Sequence, residues 1–272
     1  MRIVVCVKEV LDPDAVNSLA LAGRLQLAGD GRTLVQDTIP TLMNGFDEQA
    51  LEAALRIRDA GVSCSIAVVS VGGGSESVLR HAAALGADEL AAIQVEADAL
   101  DPHAVACLLA AWIRNAGGAD LVLCGRQASD DDQGVVPALL GERLGLPVVT
   151  VARAVEWSEA GGAGVARVTR ATPDGDERVE VPGPAVVTVS NELGAVRYPT
   201  AARKLQARRM KPAVVTPAEL GLAAGDWAPR VRIVRQFVPA LHGRCELVEG
   251  ASAAEVAERL VGRLREEGVL AT

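Results

Sequence analysis

From Arg2 to Pro147, short apolar runs rich in β-branched residues alternate with segments of helical period. RIVVCVK (2–8), SIAVVSVGGG (65–74), ELAAIQV (89–95) and ADLVLCG (119–125) read as buried strands. NGFDEQALEAALRIRDAG (44–61) places Phe46, Ala50, Leu51, Ala54 and Leu55 on one helical face and stops at Gly61. SESVLRHAAALGA (75–87), with Ser75 as cap, and DPHAVACLLAAWIRNAG (101–117), with Asp101 as cap and Pro102 in first position, read as the next helices. After the first strand, Asp12 and Pro13 predict a stop, and the Gly-bearing segment to Asp37 reads as a hairpin or excursion more than a helix. Strict alternation of this kind predicts a doubly wound, mostly parallel α/β sheet, with ligands outside the carboxyl ends of its strands.

Beyond Pro147 the grammar changes. TVARAVEW, GVARVTRAT, DERVEVPG and PAVVTVS alternate apolar and polar positions between GGAG and PDGD turns, and predict an antiparallel extension of the sheet. NELGAVRYPTAARKLQARRMKP gathers six Lys and Arg residues, a solvated basic helix or a docking element for an acidic partner. Residues 213–245 read as an extended arm, and SAAEVAERLVGRLREEGVL (252–270) as an amphipathic C-terminal helix. The expected division is therefore 1–212 for the α/β domain and 213–272 for arm and helix.

The stretch 121–147, LVLCGRQASDDDQGVVPALLGERLGLP, runs strand, polar loop and helix start in succession. Gly125 is read as the tight turn, and Ser129, Asp130, Asp131 and Asp132 as capping residues of the helix behind them. A helix start at a sheet edge offers free N–H groups and a positive dipole end to phosphate. The plainer alternative is an ordinary connection with an acidic cap. A dinucleotide GxGxxG fingerprint after the first strand is absent, and SVGGGSES lacks the Asp of a pyrophosphatase loop.

Composition narrows the classes further. Half of the 272 residues are apolar, enough for a large core, and aromatics make up only 2%. That scarcity, with a net charge of −8, argues against nucleic acid as a partner. Five scattered cysteines support neither a disulfide framework nor a metal site, and His81, His103 and His242 show no ligand spacing. No secretion signal or membrane-length apolar run is present, so cytoplasm is the expected compartment, with no direct membrane insertion.

VKEVLDP, NGFDEQALEAALRIRDAG, LGAD, LCGRQASDDD, ERLGLP, PAVVTVSNE, RYPT and REEGVL, in this order, resemble the beta subunit of electron-transfer flavoproteins over nearly the whole chain. The resemblance implies an α/β sheet of the adenine-nucleotide-binding type, and an electron-carrier subunit without its own acid, base or nucleophile. It implies pairing with an alpha subunit that holds FAD, electrons taken from dehydrogenases, and delivery to a quinone reductase or other acceptor. It also implies AMP, or a second FAD, in this subunit, on Cys6, Asn44, Phe46, Asp47, Ser70, Val71, Gly125, Gln127, Asp130, Asp132, Gln133, Gly134, Val135 and Val136. The loop departs from the family's usual DDDxNQTG by lacking its Asn and Thr. For partners, the resemblance points to Glu177 as a contact of the mobile flavin domain. It assigns Arg197, Tyr198, Ala201 and Leu205 to the loop that docks on dehydrogenases, where Ala201 replaces a frequent Leu. Two other readings stay open on residues alone. One is a nucleotide-hydrolysing enzyme needing Mg²⁺ on Asp130 to Asp132; the other is a nucleotide-sensing module.

Overall fold

The computed structural model describes all residues except 32, 37, 74, 96–99, 161–162, 240–244 and 271–272. His242, Gly74 and the two leading glycines of the GGAG turn therefore lie outside the described residues. The chain divides into two compact units, Met1–Gln236 and Phe237–Thr272.

In chain order the first unit runs β1 (Arg2–Cys6), β2 (Glu9–Leu11), α1 (Pro13–Leu21), β3 (Thr41–Met43), α2 (Gly45–Asp59), β4 (Ser65–Val71) and α3 (Glu76–Leu85). It continues with β5 (Glu89–Ile93), α4 (Pro102–Asn115), β6 (Leu121–Gly125), α5 (Val136–Leu144), β7 (Val148–Ala160), β8 (Ala163–Thr172) and β9 (Gly175–Pro182). β10 (Ala185–Val189), α6 (Ala201–Ala207) and β11 (Ala213–Val215) complete it. The second unit contributes α7 (Ala253–Glu266).

One nine-stranded sheet has the order β11-β5-β4-β1-β6-β10-β7-β8-β9. Every pairing from β11 to β7 is parallel, and β8 and β9 add antiparallel strands beyond β7. Period-two alternation along β1 builds the core on both faces. Ile3 and Val5 pack with Leu51, Leu55 and Leu79 of α2 and α3, while Val4 and Cys6 pack with Leu108 and Leu109 of α4 and Leu140 of α5. Each such aliphatic side chain, fully buried, contributes about 1.5–3 kcal/mol. The sheet is thus covered on two sides, and ligand access is left at its carboxyl edge.

Four expectations are corrected. Residues 13–21 form a helix, not an excursion: Asp12 Oδ1 accepts from the N–H of Asp14 and Ala15, and Pro13 opens the first turn. β10 is parallel to both neighbours, not antiparallel, and all five of its residues are buried, as an internal parallel strand requires. β11 adds a parallel edge strand beside β5 where an extended arm was expected, so residues 213–236 travel with the sheet unit. Neither Ser75 nor any side chain of the acidic loop caps its helix.

Candidate functional site

β4, β1 and β6 are neighbours in the sheet, and their carboxyl ends open into one cleft of about 200 Å³. Cys6 and Cys124, in register on β1 and β6, lie at its floor with Val7 and Val71. The hydrogen bond with Cys6, and then burial, push the Cys124 thiol well above its ordinary range, so it stays protonated. Leu100, Pro102, Val105 and Leu109 at the start of α4 form one wall, and the loop from Gln127 to Pro137 forms the other.

The loop is fastened from the N-terminus of α2. Asn44 donates through Nδ2 to the Gln127 carbonyl (2.8 Å) and accepts at Oδ1 from the Ser129 N–H (3.2 Å). Asp47 accepts from the Lys8 N–H at Oδ2 (2.8 Å) and from the Gly125 N–H at Oδ1 (3.1 Å). Both side chains are buried. Burial pushes the Asp47 carboxyl up to about 7, against the hydrogen bonds from Lys8, Asn44 and Gly125 that hold it down. Gly125 is needed for that approach, not for a turn: its φ is not positive, and a Cβ there would overlap the Asp47 carboxylate and lie 2.8 Å from the Phe46 carbonyl carbon. Gly134, with φ 62°, is the residue that makes the turn.

The three loop aspartates are engaged by cations and donors. Lys8 Nζ lies 2.7 Å from Asp130 Oδ1 and 3.5 Å from Asp131 Oδ2, Gln127 Nε2 donates to Asp132 Oδ1 (2.7 Å), and the Gln133 N–H donates to Asp131 Oδ1 (3.3 Å). α5 begins at Val136 with no side-chain cap. The N–H groups of Gly134, Val135 and Val136 make no hydrogen bond to any described residue. Three successive unbonded donors at a helix start form a site for an anion. Ser129 Oγ, beside them in the loop, and Ser70 Oγ, at the end of β4, are buried without a hydrogen-bond partner.

Cys6, Asn44, Asp47, Val71, Gly125, Gln127, Gln133, Gly134, Val135 and Val136 thus line one cleft. Phe46, Ser70, Asp130 and Asp132 stand outside its lining; Phe46 lies under the Arg126 guanidinium, 5.7 Å from ring centroid to Cζ. The α4 wall and Lys8 were not foreseen. The signal for Lys8 is its position two residues past the end of β1, at the edge where ligands bind. Asp101, foreseen only as a cap, serves α4 through Ala104 N–H (2.8 Å) and also accepts from the N–H groups of Arg230 (2.6 Å) and Val231 (2.9 Å). Burial raises its carboxyl, and those three donors outweigh that and hold it below its ordinary range. No cluster of metal-ligating side chains occurs among the described residues.

The residues expected to meet partners lie elsewhere. Glu177, on β9, pairs with Arg170 (2.8 Å). Arg197 is committed to Glu52 (2.7 Å) and Asp59 (2.7 Å), which anchors the loop behind β10 onto α2. Burial raises the Glu52 carboxyl, but Arg197 and Arg56 outweigh it and hold it low. Tyr198 is 92% exposed, and Ala201 and Leu205 are exposed on α6, whose cap is Thr200.

Residues 32–219 match the family model described as electron transfer flavoprotein domain. The chain is 31% identical to the electron transfer flavoprotein subunit beta of Bradyrhizobium diazoefficiens, over 99% of this chain and 100% of that protein. It is 32% identical to the caffeyl-CoA reductase-Etf complex subunit CarD of Acetobacterium woodii, over 99% and 100%. Against the human electron transfer flavoprotein subunit beta it is 29% identical over 98% of both chains. With a parallel sheet opening at its carboxyl edge onto an anion-ready loop, and matches of this extent, the chain belongs to the electron-transfer flavoprotein family, as a beta subunit.

Proposed function

We propose that this subunit pairs with an alpha subunit carrying FAD, receives electrons from dehydrogenases in the cytoplasm, passes them to a quinone reductase or other acceptor, and holds AMP in the cleft between β1, β6 and α4. The observation that carries the nucleotide is the uncapped start of α5, with its three unbonded N–H groups. The charge of the aspartates beside it is offset in part by Lys8, and their carboxylates accept from Lys8, Gln127 and the Gln133 N–H instead of from the helix start. One helix start and one lysine make a site for a single phosphate, which favours a mononucleotide over a dinucleotide. The apolar floor and the α4 wall suit the face of a base. AMP here acts as a brace between sheet and loop, and the flavin chemistry is supplied by FAD on the alpha subunit. The test is to copurify the chain with its alpha partner, denature the complex and quantify released nucleotides. Equimolar AMP and FAD are expected, and the chain purified alone is expected to be colourless. FAD in twofold excess over the complex, without AMP, would assign the cleft to a dinucleotide; neither nucleotide from this subunit would overturn the reading.

A further inference from the structure

Lys8 is fixed at one end and free to change partners at the other. Its N–H donates to Asp47 Oδ2 (2.8 Å) and its carbonyl accepts from the Asn44 N–H (2.9 Å), so the backbone at the exit of β1 is clamped by the start of α2. The side chain crosses to the opposite wall, where the ammonium meets Asp130 (2.7 Å) and Asp131 (3.5 Å). That ion pair is surface-like, with 44% of the Lys8 side chain and 34% of Asp130 accessible, so it is weak enough to exchange. Among the described residues lining the cleft Lys8 is the only cation, set against the carboxylates of Asp101 and Asp131. A dianionic ligand entering such a site meets the unbonded N–H groups of Gly134 to Val136, which attract it, and an acidic surround, which does not.

We infer that Lys8 is the charge-selecting residue of the cleft: its ammonium leaves Asp130 for the ligand's phosphate and so discriminates a nucleoside monophosphate from the uncharged nucleoside. The inference rests on the reading of the cleft as a nucleotide site. It makes two substitutions act in opposite directions. Lys8→Met removes this cation and keeps the length of the side chain, and is expected to weaken AMP about tenfold, as loss of one charge-assisted hydrogen bond does. Adenosine, lacking the phosphate, should bind the variant as it binds the parent. Asp130→Asn removes the competitor for the ammonium and is expected to tighten AMP severalfold, again with adenosine unchanged. Lys8→Arg keeps the charge and should retain most of the preference for AMP.

The experiment is calorimetric titration of the full-length chain and the three variants with AMP and with adenosine, after removal of copurified nucleotide. Opposite shifts for AMP, with constant adenosine affinity, support the inference. If Lys8→Met weakens both ligands alike, or leaves the AMP preference intact, Lys8 is not the selecting residue while the cleft remains a nucleotide site. If the unsubstituted chain binds neither ligand, the nucleotide reading fails, and this inference with it.

Discussion

Asp47 joins the exit of β1 to the end of β6 through two backbone N–H groups, and its buried carboxyl makes that joint pH-dependent. In the unfolded chain the group ionises near its ordinary 3.8, whereas in the folded protein it keeps its proton up to about 7. Its stabilising contribution is therefore complete below pH 3.8 and is lost as the pH rises from there to about 7. The gap bounds that loss at about 4 kcal/mol. Chemical denaturation of the parent and Asp47→Asn, measured between pH 5 and pH 8 (chosen to cover about the upper half of the window), should show the stability difference shifting against the parent as pH rises, then levelling above about 7. A difference that stays flat would mean the carboxyl ionises normally. Of the groups facing it, Lys8 lowers its pKa, and the Cys124 thiol lies near it protonated. Gly134 is the second residue whose chemistry is fixed by place. At φ 62°, with a Cβ position 2.9 Å from the Arg126 carbonyl, a β-branched side chain is strained by about 1–2 kcal/mol from its backbone alone and crowds the turn as well. On the proposal that the cleft holds AMP, the nucleotide raises the melting temperature of the parent, and Gly134→Val should remove that rise. An equal rise in both proteins would place the phosphate elsewhere than the 125–136 loop.

At the level of elements, what could be read in advance follows from which faces are buried. α2, α3 and α4 each bury an apolar face against the sheet, so their period was plain. α1 buries none of its nine residues, so no apolar stripe was needed and only Asp12 and Pro13 marked it. The direction of β10 was readable in principle: AVVTV is buried on both sides, a continuous run more typical of an internal parallel strand than of an alternating antiparallel one. Its neighbourhood of turn-rich alternating strands, β7 to β9, masked that. β11 spans three residues at the sheet edge, too short for a period, and among the described residues it pairs with β5 alone. For the cleft, residues near β1, α2 and the loop were legible through letters and order along the chain. The α4 wall was not, because Leu100, Val105 and Leu109 are indistinguishable by sequence from core positions, and only the fold turns their edge toward β1 and β6. The cap on α5 differs because of position: aspartates are good caps, but the helix starts at Val136, so Val135 holds the cap position and Asp130 to Asp132 lie too early, turned to Lys8 and Gln127.

At the scale of the whole molecule, the second unit presents a helix with no sheet of its own among the described residues. Residues 237–272 contain α7 and no other helix or strand among the described residues. α7 is well started, with Ser252 Oγ accepting from the Glu255 N–H (3.3 Å) and Glu255 Oε2 from the Ala251 N–H (2.8 Å), a reciprocal cap. Arg263 reaches Glu246, Glu266 and Glu267, which hold its polar side. Fourteen residues with a cap are still marginal as an isolated helix in water, and most helix stability comes from packing an apolar face. Val256, Leu260, Val261 and Leu264 supply such a face, at about 0.8 kcal/mol for each methylene it buries. No helix among the described residues is long and apolar enough to cross a membrane, so α7 is not a span. Membership of the family supplies the candidate cover, an alpha subunit. Among the described residues all eleven strands end by Val215, so removal of the last helix takes none of them from the sheet. Deleting residues 250–272 is therefore expected to abolish copurification with the alpha subunit, while the remaining chain keeps its circular dichroism and a cooperative melt. Retention of the alpha subunit by the shortened chain would show that α7 is not its docking element. Collapse of the melt would show instead that α7 completes the core of its own chain.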